Sequence, residues 1–130
     1  MNTPSEKKID VSVVIVVSET QDDLERMYLD ISRSLEQLGK SYECIFIEHV
    51  DSASVRRKLQ EMAARLPQTI QALSLHSVFT ESDALAVGFK YARGAYILIV
   101  PIYHQIKLED LVRILVPLEE GKDLISVWRI

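Results

Sequence analysis

Along the chain, apolar runs with little polar interruption alternate with segments whose apolar residues recur every three or four positions. The first run, Val11-Ser12-Val13-Val14-Ile15-Val16-Val17, is β-branched almost throughout. That pattern predicts a strand covered on both faces, as in the centre of a parallel sheet. Leu24, Met27, Tyr28, Ile31, Leu35 and Leu38 then fall at helical spacing, with Thr20 and Asp23 as a near capping box and Gly39 as the stop. Tyr42 to Ile47 reads as a second strand, and Ser52 or Ser54 can cap a helix carrying Val55, Leu59, Met62, Ala63 and Leu66 before Pro67.

The plan repeats. Thr69 to Leu75 predicts a third strand, and Thr80 with Asp83 opens a helix through Ala84, Leu85, Gly88, Phe89 and Ala92, closed by Gly94. That helix is apolar on most sides, which predicts deep packing, with Gly88 allowing close approach to a neighbour. Ala95 to Val100 is a fourth strand, Leu108, Leu111, Val112, Leu115 and Leu118 line a fourth helix ending at Gly121, and Asp123 to Trp128 forms a last strand. Strands alternating with helices imply right-handed β-α-β crossovers. The expected fold is therefore α/β, a three-layer, Rossmann-like, mostly parallel sheet. It follows a flexible polar tail at 1–8 and forms one domain over 9–130.

Composition narrows the function classes. At 130 residues the chain matches one domain of about 150 residues. A net charge of −4 argues against a broad phosphate-binding surface, so no nucleic-acid partner is expected. The single cysteine, Cys44, excludes an internal disulfide and fits a reducing, cytoplasmic setting. No apolar run approaches the ~20 residues of a membrane span, and the polar N-terminus lacks signal-peptide anatomy.

Ligand crevices in open α/β sheets lie beyond the carboxyl ends of the strands, at a switch in strand order. Polar residues collect at those predicted ends: Ser18 and Glu19 after the first strand, Glu48, His49 and Asp51 after the second, His76 and Ser77 after the third, Tyr103, His104 and Gln105 after the fourth. The candidate nucleotide-binding set is Ser18, Glu19, Glu48, His49, Asp51 and Tyr103. Glu19 and Glu48 can accept hydrogen bonds from a base or ribose, or serve as capping carboxylates. His49, His76 and His104 can converge as metal or phosphate ligands or simply fill the crevice as solvated loop residues, and no short ligand spacing supports a metal. Arg56-Arg57-Lys58 lies within a predicted helix and reads as a solvated face.

These residues resemble the nucleotide-sugar-binding half of family 2 glycosyltransferases, the group with dolichyl-phosphate mannosyltransferase-like members. Val11 to Ile15 is similar to the family's opening strand, and Tyr42 to Ile47 to the strand before its acidic D-D-G-S turn. Ser74-Leu75, Phe79, Ala84-Leu85-Ala86, Gly88 and Ala92-Arg93-Gly94 stand where the family writes S-L, N-F, A-L-A-A-G and A-R-G. Gln105, Glu109, Glu119-Glu120-Gly121, Asp123 and Arg129 continue the pattern. The resemblance implies a GT-A type nucleotide-diphospho-sugar transferase fold, truncated before the acceptor half, and transfer of a hexose from a nucleotide-diphosphate sugar.

The chain departs from the family in its chemistry. The Asp-x-Asp that would hold magnesium or manganese reads Pro101-Ile102-Tyr103, the D-D-G-S turn reads Glu48-His49-Val50-Asp51, and the first loop reads Val16-Val17-Ser18-Glu19-Thr20. With neither metal carboxylates nor the acceptor half's general base, weak or no turnover is expected, with no metal cofactor and no catalytic residue assigned. The alternative is a non-catalytic pseudo-glycosyltransferase that acts as an interaction or regulatory module. For either, the apolar Leu124 to Ile130 strand predicts a homo-oligomer. A receiver-like signalling domain suits the rhythm, but Ser18-Glu19 and His76-Ser77 do not supply its acidic pair and phosphorylatable Asp.

Overall fold

The computed structural model describes residues 8–17, 23–49, 52–75, 80–100 and 113. Strands β1 (Val11–Val17), β2 (Tyr42–Glu48), β3 (Ile70–Ser74) and β4 (Tyr96–Ile99) alternate with helices α1 (Leu24–Gln37), α2 (Ala53–Arg65) and α3 (Glu81–Tyr91). All strand pairings are parallel and the sheet order is β3-β2-β1-β4. The chain thus builds outward from β1 to β3, then crosses back to lay β4 on the far side of β1. This reversal is the switch in strand order that defines a doubly wound sheet.

The alternation along β1 sorts the core into two layers. Val11, Val13, Ile15 and Val17 pack with Leu24, Tyr28, Ile31 and Leu35 of α1 and Val55, Leu59 and Met62 of α2. Val14 and Val16 turn to the opposite face with Ile45, Ile47 and Ala84 of α3. Every residue of β1 is buried, which is why the segment tolerates so little polarity. Helices from the outward and the returning crossovers lie on opposite faces, as a common crossover hand demands. The α/β, Rossmann-like expectation holds over these residues.

Local chemistry sets the helix ends. Helix α1 closes at Gly39 (φ 69°), with the Gly39 N–H donating to the Glu36 carbonyl and the Lys40 N–H to the Leu35 carbonyl. This is the Schellman arrangement, in which glycine takes the left-handed position without a Cβ penalty. Ser52 caps α2 by accepting from the Val55 N–H, and Thr80 with Asp83 forms a complete capping box on α3.

Three expectations need correction. The N-cap of α1 is Asp23, whose carboxylate accepts from the Arg26 N–H, so the helix opens three residues later than a Thr20 box would place it. Helix α3 is not deeply packed on most sides. Ala84 and Gly88 lie against the sheet while Phe89 and Tyr91 are each 46% exposed. A Cβ on Gly88 would stand 2.6 Å from Val14 Cγ1 and 3.0 Å from Ile47 Cδ1, so only a stripe of small residues fits the close approach. Nor does Gly94 end α3: the helix stops at Tyr91 and Ala92 turns extended. The tail residues 1–7, the fourth helix and the last strand lie outside the described residues, apart from Arg113, which is helical and exposed.

Candidate functional site at the carboxyl edge of the sheet

Of the six candidate residues, the structure describes two. Ser18, Glu19, Asp51 and Tyr103 lie outside the described residues, as do His76 and His104. Glu48 is the last residue of β2 and pairs in register with Val17, the last of β1. The His49 N–H donates to the Val17 carbonyl at 2.9 Å, which ties the two strand ends together. Both residues therefore sit at the carboxyl edge of the sheet, beside the β1 end that borders the switch in strand order. His49 is half-buried.

Glu48 is 2% exposed, and the structure surrounds its carboxylate with donors. Oε1 accepts from the Ser74 hydroxyl at 2.7 Å and from Arg56 Nε at 3.0 Å, while Oε2 accepts from Arg56 Nη2 at 3.1 Å and the Ser52 N–H at 3.3 Å. A carboxylate buried this far needs such a set, because an unpaired charge in the interior is strongly unfavourable. Ser74 ends β3 and Arg56 lies in the first turn of α2. The group thus joins the carboxyl ends of β2 and β3 to the start of α2.

This arrangement corrects the reading of Arg56-Arg57-Lys58 as a solvated face. Arg57 is exposed, but Arg56 makes the two-pronged pair with Glu48, and Lys58 meets Glu25 of α1 at 2.9 Å. Arg65 also pairs with Glu25, whose carboxyl is held below its ordinary value by hydrogen bonds from Lys58 and then Arg65.

A second buried acid occupies the opposite end of the sheet. Glu43, fully buried in β2, accepts from the Ser12 hydroxyl at 2.6 Å, the Arg93 N–H at 2.7 Å, Arg93 Nη2 at 3.0 Å and Nε at 3.1 Å, and Gln71 Nε2 at 3.2 Å. The Gly94 N–H in turn donates to the Ser12 hydroxyl at 2.7 Å. Burial pushes the Glu43 carboxyl up, but the Ser12 hydroxyl, the Arg93 N–H and the guanidinium together outweigh it and hold the carboxyl below its ordinary value. The extended Ala92 is what aims the Arg93 and Gly94 N–H groups at these acceptors. A Cβ on Gly94 would lie 2.6 Å from the Ser12 backbone nitrogen, so the turn must carry glycine to approach β1.

Sequence reasoning placed Glu43 in a strand without assigning it a task. The cue was a serine and a glutamate inside otherwise apolar, doubly covered strands, where polar groups must find partners. The network sits at the amino ends of β1 and β2, away from the ligand edge, and its work is to lock β1, β2, β3 and the α3–β4 turn together.

A doubly wound parallel sheet whose strand order reverses beside β1 makes the chain an α/β protein of Rossmann-like architecture. No protein-family model matches the chain. Among curated proteins it is similar to the undecaprenyl-phosphate 4-deoxy-4-formamido-L-arabinose transferases of Klebsiella pneumoniae (29% identical over 119 residues, 92% of this chain and 36% of the relative) and Proteus mirabilis (27% over 124 residues, 95% and 38%). The transferase of the same name from Edwardsiella ictaluri is 25% identical over 119 residues, 92% of this chain and 37% of the relative. The chain spans little more than a third of the length of these relatives. The relationship supports the family 2 glycosyltransferase superfamily at its broad level. It does not extend to the dolichyl-phosphate mannosyltransferase-like subtype that the sequence motifs suggested.

Proposed function

We propose that the chain is the nucleotide-sugar-binding portion of a family 2-like glycosyltransferase, holding a nucleoside diphosphate sugar at the carboxyl edge of the sheet. The observation that carries this reading is the reversal of strand order beside β1, the place where open α/β sheets bind ligands and after whose strands the sequence puts its polar candidates. The distant relationship to sugar transferases supports it. Ser18, Glu19, Asp51 and Tyr103 follow β1, β2 and β4 in the sequence, and His49 is anchored at this edge by its bond to Val17. The relatives' names suggest a polyprenyl phosphate as the acceptor class.

The residues at the family's metal motif do not fit a divalent cation. Pro101 has no side-chain ligand and Tyr103 offers a neutral phenol, whereas magnesium and manganese favour carboxylate oxygens. No step is therefore assigned to a metal, and binding with weak or no turnover is the activity proposed for this chain. The same loss favours a second reading, a non-catalytic module that works by self-association. The half-exposed Ile97 and Ile99 on β4, 41% and 46% accessible, give it a surface.

Calorimetry and thermal shift of the full chain with UDP, GDP, their common sugars and Mn²⁺, alone and in pairs, separate the two. The transferase reading expects saturable nucleotide binding that Mn²⁺ does not strengthen. A ligand at 100 times its dissociation constant then stabilises the fold by about 2.7 kcal/mol. No binding, with a dimer or larger species by light scattering, transfers the assignment to the interaction module.

A further inference from the structure

Glu48 stands at a strand end, where an acid can accept hydrogen bonds from a base or ribose, yet the structure commits both of its oxygens to the protein itself. Oε1 is shared by Ser74 and Arg56, and Oε2 by Arg56 and the Ser52 N–H. The side chain is 2% exposed, and the partners come from three separate elements: the end of β3, the cap of α2 and the first turn of α2. Ser52 follows Glu48 by four positions, so this bond ties the cap of α2 back to the end of β2. His49, a candidate ligand contact, sits beside Glu48 and donates its N–H to the Val17 carbonyl.

We infer that Glu48 is a positioning residue: with Arg56, Ser74 and the Ser52 N–H it latches the carboxyl end of β2, and His49 beside it, to the end of β3 and the start of α2, and it acts on the ligand by holding that edge in place rather than by touching it. The inference rests on the nucleotide-binding reading and deepens it. A direct contact and a latch differ in one testable respect. If Glu48 read the ligand, removing Arg56 would release its carboxylate for the ligand and leave affinity unchanged or improved. With a latch, Arg56 and Glu48 belong to one network, so losing either loosens it and losing both costs less than the sum of the two losses. The bidentate geometry makes lysine a poor substitute for Arg56, since an ammonium cannot make the parallel pair.

The test uses the full chain as wild type, Glu48→Gln, Arg56→Ala, Arg56→Lys and the Glu48→Gln/Arg56→Ala double variant. Amide hydrogen exchange is read over 49–55 and over β1, and affinity for UDP and GDP is measured by calorimetry. The latch predicts that each single variant speeds exchange over 49–55 by about tenfold or more while β1 remains protected. It also predicts that both singles weaken nucleotide binding and that the double variant falls short of their sum, with Arg56→Lys between wild type and Arg56→Ala. Unchanged exchange over 49–55 in Glu48→Gln and Arg56→Ala overturns the latch. So does a loss of affinity confined to Glu48→Gln. If the wild type binds neither nucleotide, the nucleotide reading fails while the exchange data still decide the latch. Arg56→Lys, which keeps the charge, supplies a folded variant should Glu48→Gln unfold.

Discussion

Replacing Glu43 with glutamine tests whether buried polar groups, rather than burial alone, set the register of this sheet. The glutamine keeps the shape of the side chain but exchanges one acceptor oxygen for an NH₂ donor. In the wild type Oε2 receives the Ser12 hydroxyl and the Arg93 N–H, and Oε1 receives the guanidinium and Gln71. Whichever way the amide turns, donors face donors at one oxygen position. Hydrogen bonds to charged groups contribute about 1.5–3 kcal/mol each, and breaking one side of a buried ion pair costs about 3–5 kcal/mol. Arg93 is 60% exposed in its side chain, which discounts its charge, so about 3 kcal/mol is expected for Glu43→Gln. Arg93→Ala retains the backbone N–H and should cost about 1 kcal/mol.

Urea denaturation at neutral pH measures both. The Glu43 carboxyl is held below its ordinary value of 4.5, so its contribution is fully present above that pH and is lost as pH falls through the lower, folded-state value. The gap between wild type and Glu43→Gln should accordingly narrow in acid. A Glu43→Gln variant within about 1 kcal/mol of wild type, or a gap that widens on acidification, would refute the reasoning.

Other expectations follow from single contacts. Gly94→Ala drives a Cβ into the Ser12 and Val11 backbone and should destabilise by about 2–3 kcal/mol. Gly88→Ala meets side-chain tips and gains helix propensity, so a smaller loss, about 1 kcal/mol, is expected in the same denaturation series. Burial pushes the Cys44 thiol up to about 12, and the residue is fully buried, so thiol reagents at mildly alkaline pH should label it only at the rate of unfolding. Fast labelling in native buffer contradicts that. Gly39→Ala forces a Cβ into the left-handed position at φ 69° and should lower stability by about 1 kcal/mol, read from the thermal midpoint.

The fold was legible where local pattern and burial agree. The β-branched run at Val11–Val17 and the apolar centre of Tyr42–Glu48 fill the middle of a parallel sheet, and the Schellman glycine and Thr80–Asp83 box mark helix ends in sequence. What local pattern cannot show is pairing across the chain. Ser12 and Glu43 are 31 positions apart, Glu43 and Arg93 50, and Ser12 and Gly94 82. Periodicity likewise gave α3 too much core, because a helix pressed close to a sheet buries its small residues and leaves Phe89 and Tyr91 outside. The strand pattern put Glu48 and His49 at the carboxyl end of β2, where the structure has them. The engagement of Glu48 by Ser74, 26 residues away, became visible only in the folded chain.

Amide chemical-shift mapping during titration with UDP and GDP tests whether a nucleotide seats at the carboxyl edge of this sheet. Saturable shifts are expected at Val17, Glu48, His49, Ser52 and Val100, with Ser12, Glu43 and Arg93 at the far end unmoved. Shifts centred on Ser12, Glu43 and Arg93, or no saturable shift with either nucleotide, would contradict that seating.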